Sequence, residues 1–259
     1  MKNLTVIITA LVLVFSTHLN SQTKYSVSFY GGYSLPVADL KGDFPDTLGT
    51  SLLNFNKAST LLTSSGFNIG AIGKFCVDTL GKARLTAGLN YGSFSGSKDY
   101  QRTGGVLTYK NKVNIFTVSL GAEYNLMPKK KVSPFIGLEL AANFYSGKIE
   151  ASGDTVKTYN RKSESRFGVI ANGGAELKLS KSVSAIFGVK YALTNLFGKK
   201  TEVTTTSGTN ITDADEEGGT SSLNEIPLND ADYNTNKAKS LNYIQFYAGI
   251  TFHFGDVIK

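Results

Sequence analysis

The sequence predicts an all-β chain, folded as an eight-stranded antiparallel up-and-down transmembrane β-barrel. Three observations carry this. Apolar residues recur at every second position in eight separate segments, as strands with one apolar face require. The connections between segments alternate long and short, which places all the long loops at one end of a meander. Aromatic residues on the apolar face recur eight residues apart on four of the segments. The 259-residue chain is rich in glycine (27) and tyrosine (13) and poor in proline (5), and it shows little helical periodicity.

The chain opens with Met1-Lys2-Asn3 and an apolar run from Leu4 to Phe15, followed by a polar stretch from Ser16 to Gln22. That run is shorter than the roughly 20 residues a spanning helix needs. It reads as a secretory signal peptide over 1–21, which leaves 22–259 as one barrel domain. The formal charge is +7 with Lys2 counted, and the only cysteine is Cys76. An intramolecular disulfide is therefore excluded. The basic residues are scattered, with no continuous run beyond Lys129–Lys131, so nucleic acid is not an expected partner.

The strands are expected at 24–35, 66–77, 83–95, 112–126, 134–146, 166–179, 183–196 and 242–254. The short connections "DTLGK", "PKKKVS" and "SKS" carry the Gly, Pro, Asp and Ser of tight turns. The long ones are expected as extracellular loops at 36–65, 96–111, 147–165 and 197–241. A hairpin motif recurs: "GAEYNLMPKKKVSPFIGLEL" from Gly121 resembles "GAELKLSKSVSAIFGVKY" from Gly174. Hairpin duplication and shared strand-turn-strand composition account for it equally well.

The aromatic spacing distinguishes lipid from a soluble core. Tyr25 and Tyr33, Phe67 and Phe75, Phe116 and Tyr124, and Phe246 and Phe254 are each eight residues apart. Eight residues span about 27 Å along a strand. A tilt near 40° brings this to about 20 Å along the membrane normal, close to the height of an apolar band bounded by aromatic girdles. The opposite parity faces the lumen and carries Lys74, Arg84, Glu123, Glu139, Glu176 and Lys190. Charges in so narrow a space must be paired. Adjacent strands offer Arg84 to Glu123 and Lys190 to Glu176, and all these carboxylates are expected at similar depth in the periplasmic half.

The last segment, "YAGITFHF", places Tyr247, Gly249, Phe252 and Phe254 in the pattern polar-x-Gly-x-x-aromatic-x-aromatic. This resembles the C-terminal insertion signal read by the outer-membrane assembly machinery, although "GDVIK" follows it. With the leader and seven further strands, the chain resembles the small eight-stranded outer-membrane barrels of the OmpA/OmpX type and the broad outer membrane protein beta-barrel domain family. The resemblance implies insertion as a monomer after removal of the leader, outer-membrane lipid around the belt, and the barrel-assembly machinery as a partner in biogenesis. It also implies a role in adhesion, envelope integrity or secretion.

No cofactor is expected. His253 is the only histidine beyond the leader, and it is expected to face inward at the periplasmic end, so a Ser-His-acid site at the outer rim is not predicted. Asp213, Asp215 and Glu217 echo the first ligands of a calcium loop. Position twelve of that loop falls on Asn224, so a solvated acidic loop is the expectation. Lys98, Arg102, Lys110, Lys112, Lys148, Lys157, Arg161 and Lys162 make the second and third loops basic; solvated charge is the expectation, with contact to lipopolysaccharide phosphates as the alternative. The predicted function is a non-enzymatic barrel with a structural or surface-interaction role. A narrow channel for small solutes and a barrel accessory to secretion are the alternatives.

Overall fold

The structure is a computed structural model describing residues 25–41, 63–78, 80–102, 105–152, 156–197, 220–221 and 240–254. The predicted leader, most of the first and fourth loops, and the "GDVIK" tail lie outside the described residues. Among the described residues every regular element is a strand: β1 (Tyr25–Ala38), β2 (Ser65–Cys76), β3 (Ala83–Arg102), β4 (Gly105–Asn125), β5 (Val132–Ser152), β6 (Val156–Lys178), β7 (Val183–Phe197), β8 (Thr220–Ser221) and β9 (Leu241–Phe254). Eight of them form the predicted closed antiparallel barrel, with each long strand paired to its chain neighbours and β9 closing against β1. The two-residue β8 adds in parallel to β6 outside the ring.

The register determines the barrel's shape. Paired residues followed once round the ring run Tyr25, Phe75, Leu85, Ala122, Leu138, Ala171, Tyr191 and Ile244, and return to β1 at Leu35. The path thus climbs ten residues in one circuit. For eight strands that stagger corresponds to a tilt of about 43° and a radius of about 8 Å, an interior that side chains can fill.

The turns at the periplasmic end are tight. In the β2–β3 turn the Ala83 amide donates to Asp78 Oδ1 at 3.0 Å and the Gly81 amide to the Asp78 carbonyl at 3.3 Å. Gly81 adopts φ +72°, a conformation that a side chain disfavours. In the β4–β5 turn the Met127 amide donates to Asn125 Oδ1 at 3.0 Å, and in the β6–β7 turn the Val183 amide donates to Ser180 Oγ at 3.1 Å.

The opposite end departs from the sequence expectation. The described residues of 96–111 and 147–165 are strand rather than loop. Strands β3 and β4 stay paired out to Arg102 and Gly105, and β5 and β6 out to Ser152 and Val156, with one register shift beside Tyr145. The hairpins rise past the belt as ribbons that carry polar residues on both faces, such as Ser97 and Asp99 outward and Lys98 and Asn111 inward. Neither face must then be apolar, and the alternation that marks a strand within the membrane is lost.

The faces are inverted relative to a soluble protein. Tyr25, Tyr33, Phe67, Phe116, Tyr124, Phe246 and Phe254 are exposed on the outside, and Phe75 is half-buried there. The buried residues of the inner face are largely polar, including Ser28, Asn68, Thr117, Asn143, Gln245 and Thr251.

Candidate functional site

The lumen holds the chemistry in layers. Nearest the periplasm is a quartet of charges from four strands. Lys74 on β2 places Nζ 2.8 Å from Glu123 on β4 and 2.7 Å from Glu176 on β6. Arg84 on β3 donates to the same two carboxylates at 3.1 and 3.0 Å. The quartet is neutral, and every member is buried. The Lys74 ammonium also lies 4.5 Å from the centre of the Phe135 ring, a favourable cation–π contact.

A second cluster lies above it. Glu139 on β5 accepts from Ser119 Oγ at 2.5 Å and Asn172 Nδ2 at 2.7 Å, and pairs with Lys190 on β7 at 3.4 Å. Lys190 donates to Tyr30 Oη at 3.3 Å and sits 4.9 Å from the centre of that ring. This corrects two expectations. Lys190 pairs with Glu139 and not with its neighbour-strand candidate Glu176, and Glu139 does not share the depth of Glu123 and Glu176. The ten-residue stagger lifts β5 and β7 positions above those on β2, β3 and β4, and side chains reach across the lumen as well as along it.

Higher still, Gln245 Nε2 donates to Asn68 Oδ1 at 2.6 Å, and Asn68 Nδ2 donates to Ser34 Oγ at 2.9 Å. An apolar layer of Leu40, Phe94, Ile115, Tyr145, Leu241 and Tyr243 covers this amide layer at the extracellular end.

Cross-strand register adds residues that alternation does not single out. Four inward rings face inward glycines directly across the sheet: Tyr30 opposite Gly70, Phe94 opposite Gly66, Phe135 opposite Gly174, and Tyr247 opposite Gly188. A Cβ added at those glycines would lie 2.6 Å from the Tyr30 ring, 2.6 Å from Phe94, 2.9 Å from Phe135 and 2.8 Å from Tyr247. The glycines are seats for the rings that fill the lumen. Their signal in the sequence is the glycine itself, which weakens a strand unless something packs over it.

The predicted insertion-signal residues all meet β1 at the closing seam. Phe254 stacks on Tyr25 with centroids 5.1 Å apart, Phe252 meets Phe29 edge-on at 6.4 Å, and Tyr247 packs on Tyr30 at 5.0 Å inside. Gly249 lies opposite Tyr30. Replacing Phe252 and Phe254 together with alanine should lower the yield of assembled barrel more than deleting 255–259, as read by heat-dependent gel mobility. A greater loss from the deletion would place the signal elsewhere.

His253 Nε2 and Ser184 Oγ are 2.8 Å apart at the periplasmic end, and Ser184 is fully buried. Among the described residues no cluster of three or more His, Cys, Asp or Glu can hold a metal ion. Asp213, Asp215 and Glu217 lie outside the described residues.

A family model described as Helicobacter outer membrane protein matches residues 82–212. Among solved structures, the chain is similar to Neisserial surface protein A, with a TM-score of 0.46 and 12% identity over 90% of this chain and 98% of that one. It is similar to Ail, the attachment invasion locus protein of Yersinia pestis, in complex with the heparin analogue sucrose octasulfate (TM-score 0.44, 8% identity, 90% of this chain and 100% of that one). A major outer membrane protein from Thermus thermophilus is similar as well (TM-score 0.44, 13% identity, 90% and 100%). No curated protein matches the chain.

Proposed function

The chain belongs to the Helicobacter outer membrane protein family, and from that membership we propose a non-enzymatic, non-conducting outer-membrane barrel that acts through its extracellular surface. One observation supports this reading: buried side chains crowd the lumen. Two charge clusters with bonded carboxylates, four seated rings and an apolar layer occupy successive levels of an interior about 8 Å in radius. A wide solute path would have to cross every one of these levels, and each is occupied by buried side chains. What remains available for interaction is the outside, where the β3–β4 ribbon runs eleven residues beyond Phe116 to Gly105, about 37 Å along the strand.

The test combines two measurements on the full-length protein. Recovered from the outer membrane, it should migrate differently on gels before and after boiling, because a closed barrel has no unpaired edge from which to unravel. In planar bilayers it should leave the current near baseline. A large steady conductance would replace this reading with the channel alternative. Recovery of a stoichiometric complex from solubilised membranes would favour a role beside a secretion apparatus.

A further inference from the structure

The membrane-facing side of the β4–β5 ribbon changes character in register. Its direct cross-strand pairs, read outward, are Leu120 with Leu140, Val118 with Ala142, Phe116 with Phe144, Asn114 with Ser146, Lys112 with Lys148, and Lys110 with Glu150. All lie on one face, since they are two residues apart. The order is apolar, apolar, aromatic, neutral polar, cationic, then mixed charge. The Phe116 and Phe144 rings touch, with centroids 6.3 Å apart, and mark the upper edge of the lipid belt.

Two lysines directly opposite each other on an exposed face repel. Lys148 is paired with Glu150, and Lys110 stands opposite that same carboxylate. Lys112 is exposed and has no ion-pair partner among the described residues. The patch therefore holds three ammonium groups against one carboxylate. Four residues separate Lys112 from Phe116 and Lys148 from Phe144, which at this tilt is about 10 Å along the membrane normal. Headgroups extend about 5–8 Å beyond the hydrocarbon on each side, and a lysine stem spans the remaining gap.

We propose that Lys112 and Lys148, with Lys110, form a site for the phosphate groups of an anionic lipid of the outer leaflet, seated against the Phe116–Phe144 pair. The inference rests on the outer-membrane orientation above. Lipid rather than a soluble anion is the occupant because the cationic pair continues the same lipid-facing column. An acyl chain along Leu120, Leu140 and Phe144 places its headgroup at the lysines.

The test titrates the detergent-solubilised full-length barrel, in EDTA, with bis-phosphorylated lipid A and reads bound lipid by native mass spectrometry. K112E/K148E should weaken binding at least about tenfold, since each cation at an anionic surface contributes roughly a fivefold factor. K129E/K130E, an equal charge change at the exposed β4–β5 periplasmic turn, should stay within about twofold of wild type. Equal losses in both doubles would reduce the effect to bulk charge and overturn the site. Full displacement by millimolar inorganic phosphate would overturn the lipid assignment. Where K112E/K148E fails to show the heat-dependent gel shift, K112Q/K148Q decides by the same criterion. Failure of lipid binding in a barrel that is outer-membrane located and non-conducting counts against this site alone, whereas a large conductance counts against the closed-barrel reading alone.

Discussion

Lys74→Ala should destabilise the barrel by about 3–5 kcal/mol, the usual loss when one partner of a buried ion pair is removed. Lys74 is the centre of the lower quartet. Without it, Glu123 and Glu176 share only Arg84, and the buried group carries an uncompensated negative charge. Lys148→Ala, which breaks the exposed pair with Glu150, should change stability by less than about 1 kcal/mol, because water screens that pair. The two lysines thus separate burial from the mere presence of a salt bridge. Urea unfolding in detergent micelles measures both. A Lys74 variant as stable as wild type would show that the quartet is not held together by charge.

The same quartet predicts a specific non-additivity. Arg84→Ala and Glu123→Ala each leave it unbalanced, one negative and one positive. The double variant leaves Lys74 with Glu176 at 2.7 Å, a balanced pair, and should recover part of the lost stability. Arg84→Ala with Glu139→Ala should be additive within about 0.5 kcal/mol, because Glu139 bonds in the upper cluster. Coupling between Arg84 and Glu139 equal to that between Arg84 and Glu123 would merge the two clusters into one.

Gly249→Val should cost at least about 1–3 kcal/mol and sharply reduce the folded fraction. A Cβ at Gly249 would lie 2.0 Å from the Phe29 carbonyl oxygen and 2.7 Å from Tyr30 Cα. Both are backbone atoms of the strand across the seam, so no rotamer change relieves the contact. The strands must part where β9 closes the ring, and opening the seam exposes two edges at once. Gly73→Ala is the matched control. Its Cβ would meet only the Ala87 carbonyl oxygen, at 3.8 Å, so it should remain near wild type. The boiled-versus-unboiled gel shift reports the folded fraction. Equal behaviour of the two variants would mean that the seam yields locally.

Much of this protein is written in local alternation. The eight strands, their antiparallel order, the outward aromatic belt and the inward charges all follow from a period of two, because a strand's faces are set by its own residues. Tyr25, Phe67, Phe116 and Phe246 are legible in that way, as are Lys74 and Glu176 as inward positions. Partnership inside the lumen is not. Lys74 on β2 meets Glu176 on β6, far apart around the ring, and Lys190 chooses Glu139 over Glu176. Those choices depend on the ten-residue stagger, which no single strand records. The glycines under Tyr30, Phe94, Phe135 and Tyr247 became seats only once the register set each opposite its ring. The tall ribbons above the belt were hidden for the opposite reason. Beyond the lipid both faces carry polar residues, the apolar alternation disappears, and only backbone pairing to Arg102 and Ser152 reveals the strand. Alternation records which medium each face meets, whereas contact across the lumen is decided by how the sheet closes on itself.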